Sequence, residues 1–326
     1  MSRRKFKMTT IIDLARLSQT SKSTVSRVIT GKGYVSADKR KAILKAIKET
    51  NYIPNRVAQN LKSQQTKTIG FIAEDYFSIA GDFLNYFVKI AAKYDYNVNT
   101  YFTHNEKREL EVLNLLMSKS LDGVFILTTV NDWDKILPYT RFGPIATWKR
   151  LDSEKIYSSY VDHYPIYLQI LNDLRNDGRT KVGHILNDSN SQNTVATVQA
   201  IKDFSKKYPE VNNDWQVFHH SGQSAHKMAA KKWLQEADSP KTIICYNDYE
   251  ASGFMLELKK HHLILNRDYQ LISFDNSHLS KVLGLTSVDL KIQQQAENSF
   301  FYLYNQLNDT KIPYHRIEPR IISNEL

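Results

Sequence analysis

Between residues 68 and 274, short apolar runs alternate with segments whose apolar residues fall at helical spacing, and this alternation limits the fold more than any other feature of the chain. Strands are predicted at residues 69–73, 97–103, 123–127, 144–148, 181–186, 242–246 and 270–274. Helices are predicted at 82–94, which carries Phe83, Tyr86 and Phe87, and at 106–118. Strands separated by helices pair in parallel, because a parallel neighbour needs a long crossover, and the crossover helices cover both faces of the sheet. An all-β or a purely helical architecture is excluded for this part.

The first fifty residues follow another rule. Ile11, Ile12, Leu14, Ala15 and Leu17 mark one short helix, and a second, over 22–29, begins behind Ser21 as N-cap. A third starts behind Ser36, with Asp38 against its dipole, and is expected to bury Ile43, Leu44 and Ile47. Pro54 is expected to stop it, and Asn55 to cap a short new helix over 56–62. Charge separates the same two parts. Residues 1–67 hold 16 Lys or Arg against Asp13, Asp38 and Glu49, a balance of +13, while the rest has 28 basic and 31 acidic residues, a balance of −3. A basic excess confined to a segment patterned to fold suits contact with a polyanion. At 326 residues the chain has room for two or three domains. It shows no apolar run of membrane-spanning length and no signal core behind the basic start, so a cytoplasmic location is expected; translation from Met1 or from Met8 fits equally well. The single Cys245 allows no intrachain disulfide and no cysteine metal cluster, and reads as a buried strand residue.

Only Ser18, Gln19 and Thr20 separate the first two helices, the length of a helix-turn-helix connection whose second helix enters the major groove. The segments Ile12-Asp13-Leu14-Ala15, Ser23-Thr24-Val25-Ser26-Arg27-Val28 and Asn51-Tyr52-Ile53-Pro54-Asn55-Arg56-Val57-Ala58 resemble the headpiece of the LacI/GalR family of bacterial transcriptional repressors. One departure is Gln19, where the family has Gly; a Cβ in a left-handed turn costs roughly 1 kcal/mol. The resemblance implies DNA contacts from Lys22, Ser23 and Arg27 to base edges, and from Thr10, Ser21, Thr24 and Ser26 to phosphates. It also implies a hinge, with Asn55, Arg56, Ala58 and Leu61, that pairs across a homodimer and inserts Leu61 into the minor groove of a palindromic operator.

The strand–helix part is similar to the ligand-binding core of the same family. The implied fold is an all-α helix-turn-helix headpiece (1–50), a hinge (51–65) and an α/β core (66–326) of two doubly wound parallel-sheet subdomains of the periplasmic-binding-protein type. Their expected bounds are 66–161 with a returning segment 291–320, and 162–290, with crossings near Val161, Ser287 and a final strand at 316–322. In open α/β sheets ligands sit beyond the carboxyl ends of strands. Strand ends and resemblance together nominate Asp75, Trp148, Arg150, Tyr160, Tyr246, Asn247 and Asp275 as effector ligands, with Asp248 read as a helix N-cap. Two departures mark a retuned pocket: Lys149 stands where the family often has Asp, and Thr197 takes the place of an Arg.

No Gly-rich phosphate loop, His-Glu-x-x-His or nucleophile elbow is present, and the adjacent pairs His219-His220 and His261-His262 point apart. Neither an enzyme, a metal site nor a cofactor is expected. The sequence reads as a repressor of carbohydrate-utilisation genes controlled by a small sugar-like effector. Control by a protein corepressor is the second reading, and a solute-binding transport component the third.

Overall fold

The computed structural model describes residues 9–31, 33–54, 65–76, 78–219 and 224–324. The expected hinge helix, with Asn55, Arg56, Ala58 and Leu61, lies outside the described residues, as do Met1 and His220. The chain divides into two units, 1–66 and 67–326.

The first unit holds α1 (Ile11–Leu17), α2 (Lys22–Thr30) and α3 (Ala37–Thr50). Thr10 caps α1 in a reciprocal box: its Oγ1 accepts from the Asp13 N–H at 3.3 Å while Asp13 Oδ2 accepts from the Thr10 N–H at 2.9 Å. The turn places Gln19 at φ 49°, so the left-handed conformation is kept with a Cβ in place. Leu14, Ala15, Val25, Val28, Ile43 and Ala46 form the core. Two expectations are corrected here. Leu44 is 52% exposed, because the inward stripe of α3 runs through Ile43, Ala46 and Ile47. The helix ends at Asn51, a left-handed C-cap at φ 47°, three residues before Pro54 is reached.

The second unit contains two sheets. The first has the order β2-β1-β3-β4-β5, all parallel, from β1 (Thr68–Ala73), β2 (Asn97–Phe102), β3 (Gly123–Ile126), β4 (Ile145–Thr147) and β5 (Ile156–Ser158). Its helices are α4 (Ser78–Lys93), α5 (Glu106–Met117) and the single turn α6 (Trp133–Ile136). The second sheet, β11-β10-β9-β8-β6-β7, uses β6 (Lys181–Leu186), β7 (Asn212–Phe218), β8 (Thr242–Cys245), β9 (Gln270–Phe274), β10 (Thr286–Asp289) and β11 (Arg320–Ile322), with only β11 antiparallel. Around it stand α7 (His163–Asn176), α8 (Gln192–Lys207), α9 (Ala225–Gln235), α10 (Asp248–Lys259) and α11 (His278–Leu283), while α12 (Ile292–Asn308) packs back against α4.

Strand alternation explains how each sheet is covered twice. In β8, Ile244 faces the cluster shared with α7 and α8, whereas Ile243 and Cys245 face Ala229, Phe254 and Leu258 of α9 and α10. In the first sheet, Phe71 and Phe125 stack with Phe83 and Phe87 of α4, while Ile72, Val124 and Ile126 meet Leu113 and Leu116 of α5. The chain passes between the sheets after β5, after β10 and again before β11. Ser287, expected at a crossing, lies inside β10. Strands β5, β7 and β10 were not anticipated: β5 has three residues, β7 mixes polar residues into an edge position, and β10 is four residues long with Ser287 and Asp289 in it.

Candidate functional site

In the first unit, Ser21 caps α2, its Oγ accepting from the Thr24 N–H at 3.1 Å and sharing 2.8 Å hydrogen bonds with the hydroxyls of Ser23 and Thr24. The cap fixes the start of the helix. Lys22, Ser23 and Arg27 stand exposed along it, with Ser26 half-buried beside them. The stem of Arg27 lies over Gly33, where φ is +86° and an added Cβ would sit 3.4 Å from Arg27 Cδ. The hydroxyls of Thr10, Ser21 and Thr24 are engaged in caps, which places them at helix N-termini whose amides favour anions.

In the second unit, a cavity of about 820 Å³ opens between the sheets at the carboxyl ends of their strands. Of the expected effector residues, Trp148, Arg150, Tyr246, Asn247 and Asp275 line it. Two do not. Asp75 is turned away, its Oδ1 accepting from the Tyr76 N–H at 2.7 Å, and Glu74 takes its place at the end of β1. Tyr160 borders a separate cavity of about 470 Å³, with the Arg150 guanidinium 5.3 Å above its ring.

Each wall is held by its own scaffold. Trp148 rests edge-on against Phe83 with ring centroids 5.6 Å apart. Glu109, buried on α5, accepts from the Thr129 hydroxyl at 3.0 Å and the Asn131 N–H at 2.8 Å, which fixes the loop after β3. Across the cavity, Asn247 is the N-cap of α10, with its Oδ1 accepting from the Glu250 N–H at 2.8 Å. Asp248 is therefore the first helical residue and not the cap. Its carboxylate, 1% exposed, accepts from the hydroxyls of Ser273 (2.5 Å), Ser277 (2.7 Å) and Ser287 (2.6 Å) and from the Ser277 N–H (2.7 Å). It ties α10 to the ends of β9 and β10 and to the start of α11.

Several lining residues were not found from the sequence. His163 stacks on Phe274 at 5.0 Å and accepts from the Asn193 side-chain amide at 3.2 Å; burial pushes its pKa down to about 4, so the ring is neutral. Glu250 accepts from the His226 N–H at 2.8 Å. Asn187, Asn190 and His219 add to the polar lining, together with Thr197, which the sequence had marked as a departure in the pocket. Asn187 follows β6 directly and His219 follows β7, so a strand-end rule applied to every strand would have found both.

The charges are unevenly matched. Burial lowers the Lys149 pKa, opposed by the charge of Glu74, and Arg150 meets Asp162, the N-cap of α7, at 3.4 Å. Asp275, at φ 107°, is held well above the usual carboxylate range by burial and then by the neighbouring Asp248 and Asp82.

Comparison with known proteins agrees with both units. Residues 10–55 match the family described as "Bacterial regulatory proteins, lacI family", and residues 171–323 match the "Periplasmic binding protein-like domain". Catabolite control protein B of Bacillus subtilis (strain 168) is 28% identical over 312 residues, spanning 94% of this chain and 98% of that protein. Among solved structures, the lac repressor dimer bound to operator and an anti-inducer superposes with a TM-score of 0.82 at 18% identity, covering 98% of this chain and all of that one. A transcriptional regulator CelR–cellobiose complex gives 0.64 at 18%, covering 96% and 98%. Among the described residues no helix is long and apolar enough to cross a membrane. The chain thus carries a helix-turn-helix headpiece of the lacI family of bacterial regulatory proteins on a periplasmic-binding-protein-like core of two parallel-sheet subdomains, the make-up of a DNA-binding transcriptional regulator.

Proposed function

We propose that this protein is a homodimeric repressor of carbohydrate-utilisation genes, acting in the cytoplasm on a palindromic operator, with its affinity set by a small sugar-like effector in the cleft. The observation that carries the reading is the lining of the 820 Å³ cavity. Side-chain amides of Asn187, Asn190 and Asn247 and carboxylates of Glu250 and Asp275 stand beside the rings of Trp148 and Tyr246. Hydroxyls need such paired donors and acceptors, and sugar faces stack on rings. The cellobiose bound by the CelR neighbour supports the same class.

Lys22, Ser23 and Arg27 read base edges, and Thr10, Ser21, Thr24 and Ser26 hold phosphates. Trp148, Arg150, Tyr246, Asn247 and Asp275 hold the effector. Asn55, Arg56, Ala58 and Leu61 form a hinge that pairs on operator DNA, and closure of the two subdomains alters its spacing. A ligand moves this equilibrium only by its differential affinity for the closed form. Loss of the shared register drops binding toward the non-specific level, a span of roughly 4–10 kcal/mol. The test is fluorescence anisotropy on a palindromic operator selected in vitro, titrated with mono- and disaccharides. A sugar that changes operator affinity without changing non-specific affinity supports the reading, and uniform indifference to sugars counts against it.

A second reading, control by a protein partner, is favoured by the separate 470 Å³ cavity at the edge strand β5, where Tyr157 and Tyr302 stack at 5.0 Å outside the cleft. The likeness to a catabolite control protein fits it as well.

A further inference from the structure

Helix α8 begins at the cleft, and no described side chain closes its first turn. Ser191, the N-cap, makes no side-chain hydrogen bond to the helix, and the first backbone bond runs from the Val195 N–H to the Ser191 carbonyl at 2.9 Å. The N–H groups of Gln192, Asn193 and Thr194 come before that bond and have no acceptor among the described residues. All of these residues except Val195 line the cavity. Over the 16 residues of α8 the peptide dipoles add to a partial positive charge at that end.

Two side chains turn this open end into a built pocket. Thr194 and Thr197 lie three positions apart on one face of α8, are 5% and 4% exposed, and line the cavity. Neither hydroxyl has a hydrogen-bond partner among the described residues. A buried hydroxyl without a partner is costly, and a ligand that accepts from it removes that cost. Lys149, just beyond β4, supplies a full positive charge from the wall of the first sheet. It makes no ion pair with any described residue: Glu74 acts on it through its field, whereas Arg150 is held by Asp162. The carboxylates that line the cleft, Glu74, Glu250 and Asp275, belong to other elements than α8. Asp188, in the loop before α8, does not line the cavity and accepts from the Asn190 N–H at 2.8 Å.

We propose that the cleft takes a phosphorylated sugar whose phosphate seats on the first turn of α8, against the Thr194 and Thr197 hydroxyls, with Lys149 reaching it from the other wall. The inference rests on the reading of the cleft as a carbohydrate site and names the group that sets its ligand apart. A phosphate group offers three strong acceptor oxygens, which match a cluster of backbone amides, hydroxyls and an ammonium. A carboxylate offers only two, and a neutral sugar leaves the charge of Lys149 unanswered. The sugar hydroxyls have an acceptor on the same turn in Asn193 Oδ1, which is buried without a partner among the described residues. Since α8 packs on the second sheet and Lys149 follows a strand of the first, a phosphate held by both draws the subdomains together. That gives the ligand its differential affinity for the closed form.

The test is isothermal titration calorimetry on the full chain at one salt concentration near neutral pH, in a buffer free of phosphate. Glucose, fructose, galactose and cellobiose are each compared with the corresponding 6-phosphate, with glucuronate and inorganic phosphate as further probes. We expect the tightest-binding 6-phosphate to exceed its parent sugar at least about tenfold in affinity. Lys149→Met removes most of that preference, Lys149→Arg keeps most of it, and Thr197→Val reduces it severalfold, with thermal melts reporting whether each variant folds. Lys149→Met keeps the question answerable if the buried Thr197→Val does not fold. Parent sugars or glucuronate binding as tightly as the 6-phosphates, or a preference that survives both Lys149→Met and Thr197→Val, overturns this inference and leaves the carbohydrate reading standing. Inorganic phosphate binding as tightly as the sugar phosphates, or no binding by any sugar with or without phosphate, removes the carbohydrate reading and this inference with it.

Discussion

Asp248→Ala tests the corner that holds one wall of the cleft. The carboxylate it removes is 1% exposed and receives four hydrogen bonds of 2.5–2.7 Å. Hydrogen bonds to a charged acceptor contribute about 1.5–3 kcal/mol each, and a buried donor left without a partner costs about 1–3 kcal/mol. The four do not add, because hydroxyls can turn. Ser273 Oγ already lies 3.4 Å from the Thr286 carbonyl, and Ser287 Oγ already accepts from the Asn276 N–H at 2.9 Å. The Ser277 N–H cannot turn. Counting that amide in full and about one hydroxyl equivalent, the expected loss is roughly 3–5 kcal/mol. Asp248→Asn keeps the shape and one acceptor oxygen, and a hydroxyl can reverse to accept from its amide, so the expected loss is about 1–2 kcal/mol. Urea denaturation followed by tryptophan fluorescence reads this unit alone, since Trp133, Trp148, Trp215 and Trp233 all lie within residues 67–326. A loss below about 1 kcal/mol for the alanine variant would refute the reasoning, and equal losses for both variants would assign the effect to the charge itself and not to the number of hydrogen bonds.

Three further outcomes are expected. His184 is fully buried, accepts from the Tyr167 hydroxyl at 2.7 Å and donates to Asn213 Oδ1 at 3.1 Å, and burial lowers its pKa from 6.5 to about 4. The unfolded chain takes up this proton first, so stability is full above pH 6.5 and falls toward pH 4, by roughly 3 kcal/mol for this residue; denaturation of His184→Gln should show a correspondingly shallower acid slope. Gly253→Ala builds a Cβ 2.5 Å from His226 Cγ, where it displaces the ring from Glu250. Overpacking outweighs the gain of about 1 kcal/mol in helix propensity, for a net loss of roughly 1–2 kcal/mol by urea titration, and a more stable variant would contradict the packing. Arg27→Ala should weaken operator binding by about 1–3 kcal/mol and relax base preference at one position per half-site, read by anisotropy on operators mutated one base pair at a time.

Much of the fold was legible because its determinants are local. The box of Thr10 with Asp13, the cap of Ser21 on Thr24 and the left-handed Gln19 all act within a few residues, so the headpiece can be read directly from the chain. The parallel sheets were legible from apolar runs buried on both faces. Short or polar strands were not: β7 alternates polar and apolar residues, β5 is three residues long and β10 four, and with β7 unrecognised His219 was read as one of an adjacent histidine pair and not as a strand-end residue.

The candidate site was legible by class and not by atom. The strand-end rule found Trp148, Tyr246, Asn247 and Asp275, yet at the end of β1 it chose Asp75 over Glu74, and it left Tyr160 beside a different cavity. Which of two adjacent side chains enters a cleft depends on where the chain turns after the strand, and the sequence carries little of that information.

The sequence by itself determined the two-part architecture, the basic helix-turn-helix and the alternation that makes parallel sheets, since capping, periodicity and charge are properties of neighbouring residues. Only the tertiary structure decided that Asp248 is a buried staple and that Arg150 answers to Asp162. Those relations join residues from 12 to 39 positions apart, and they exist only because strand register brings the separated segments to one cleft.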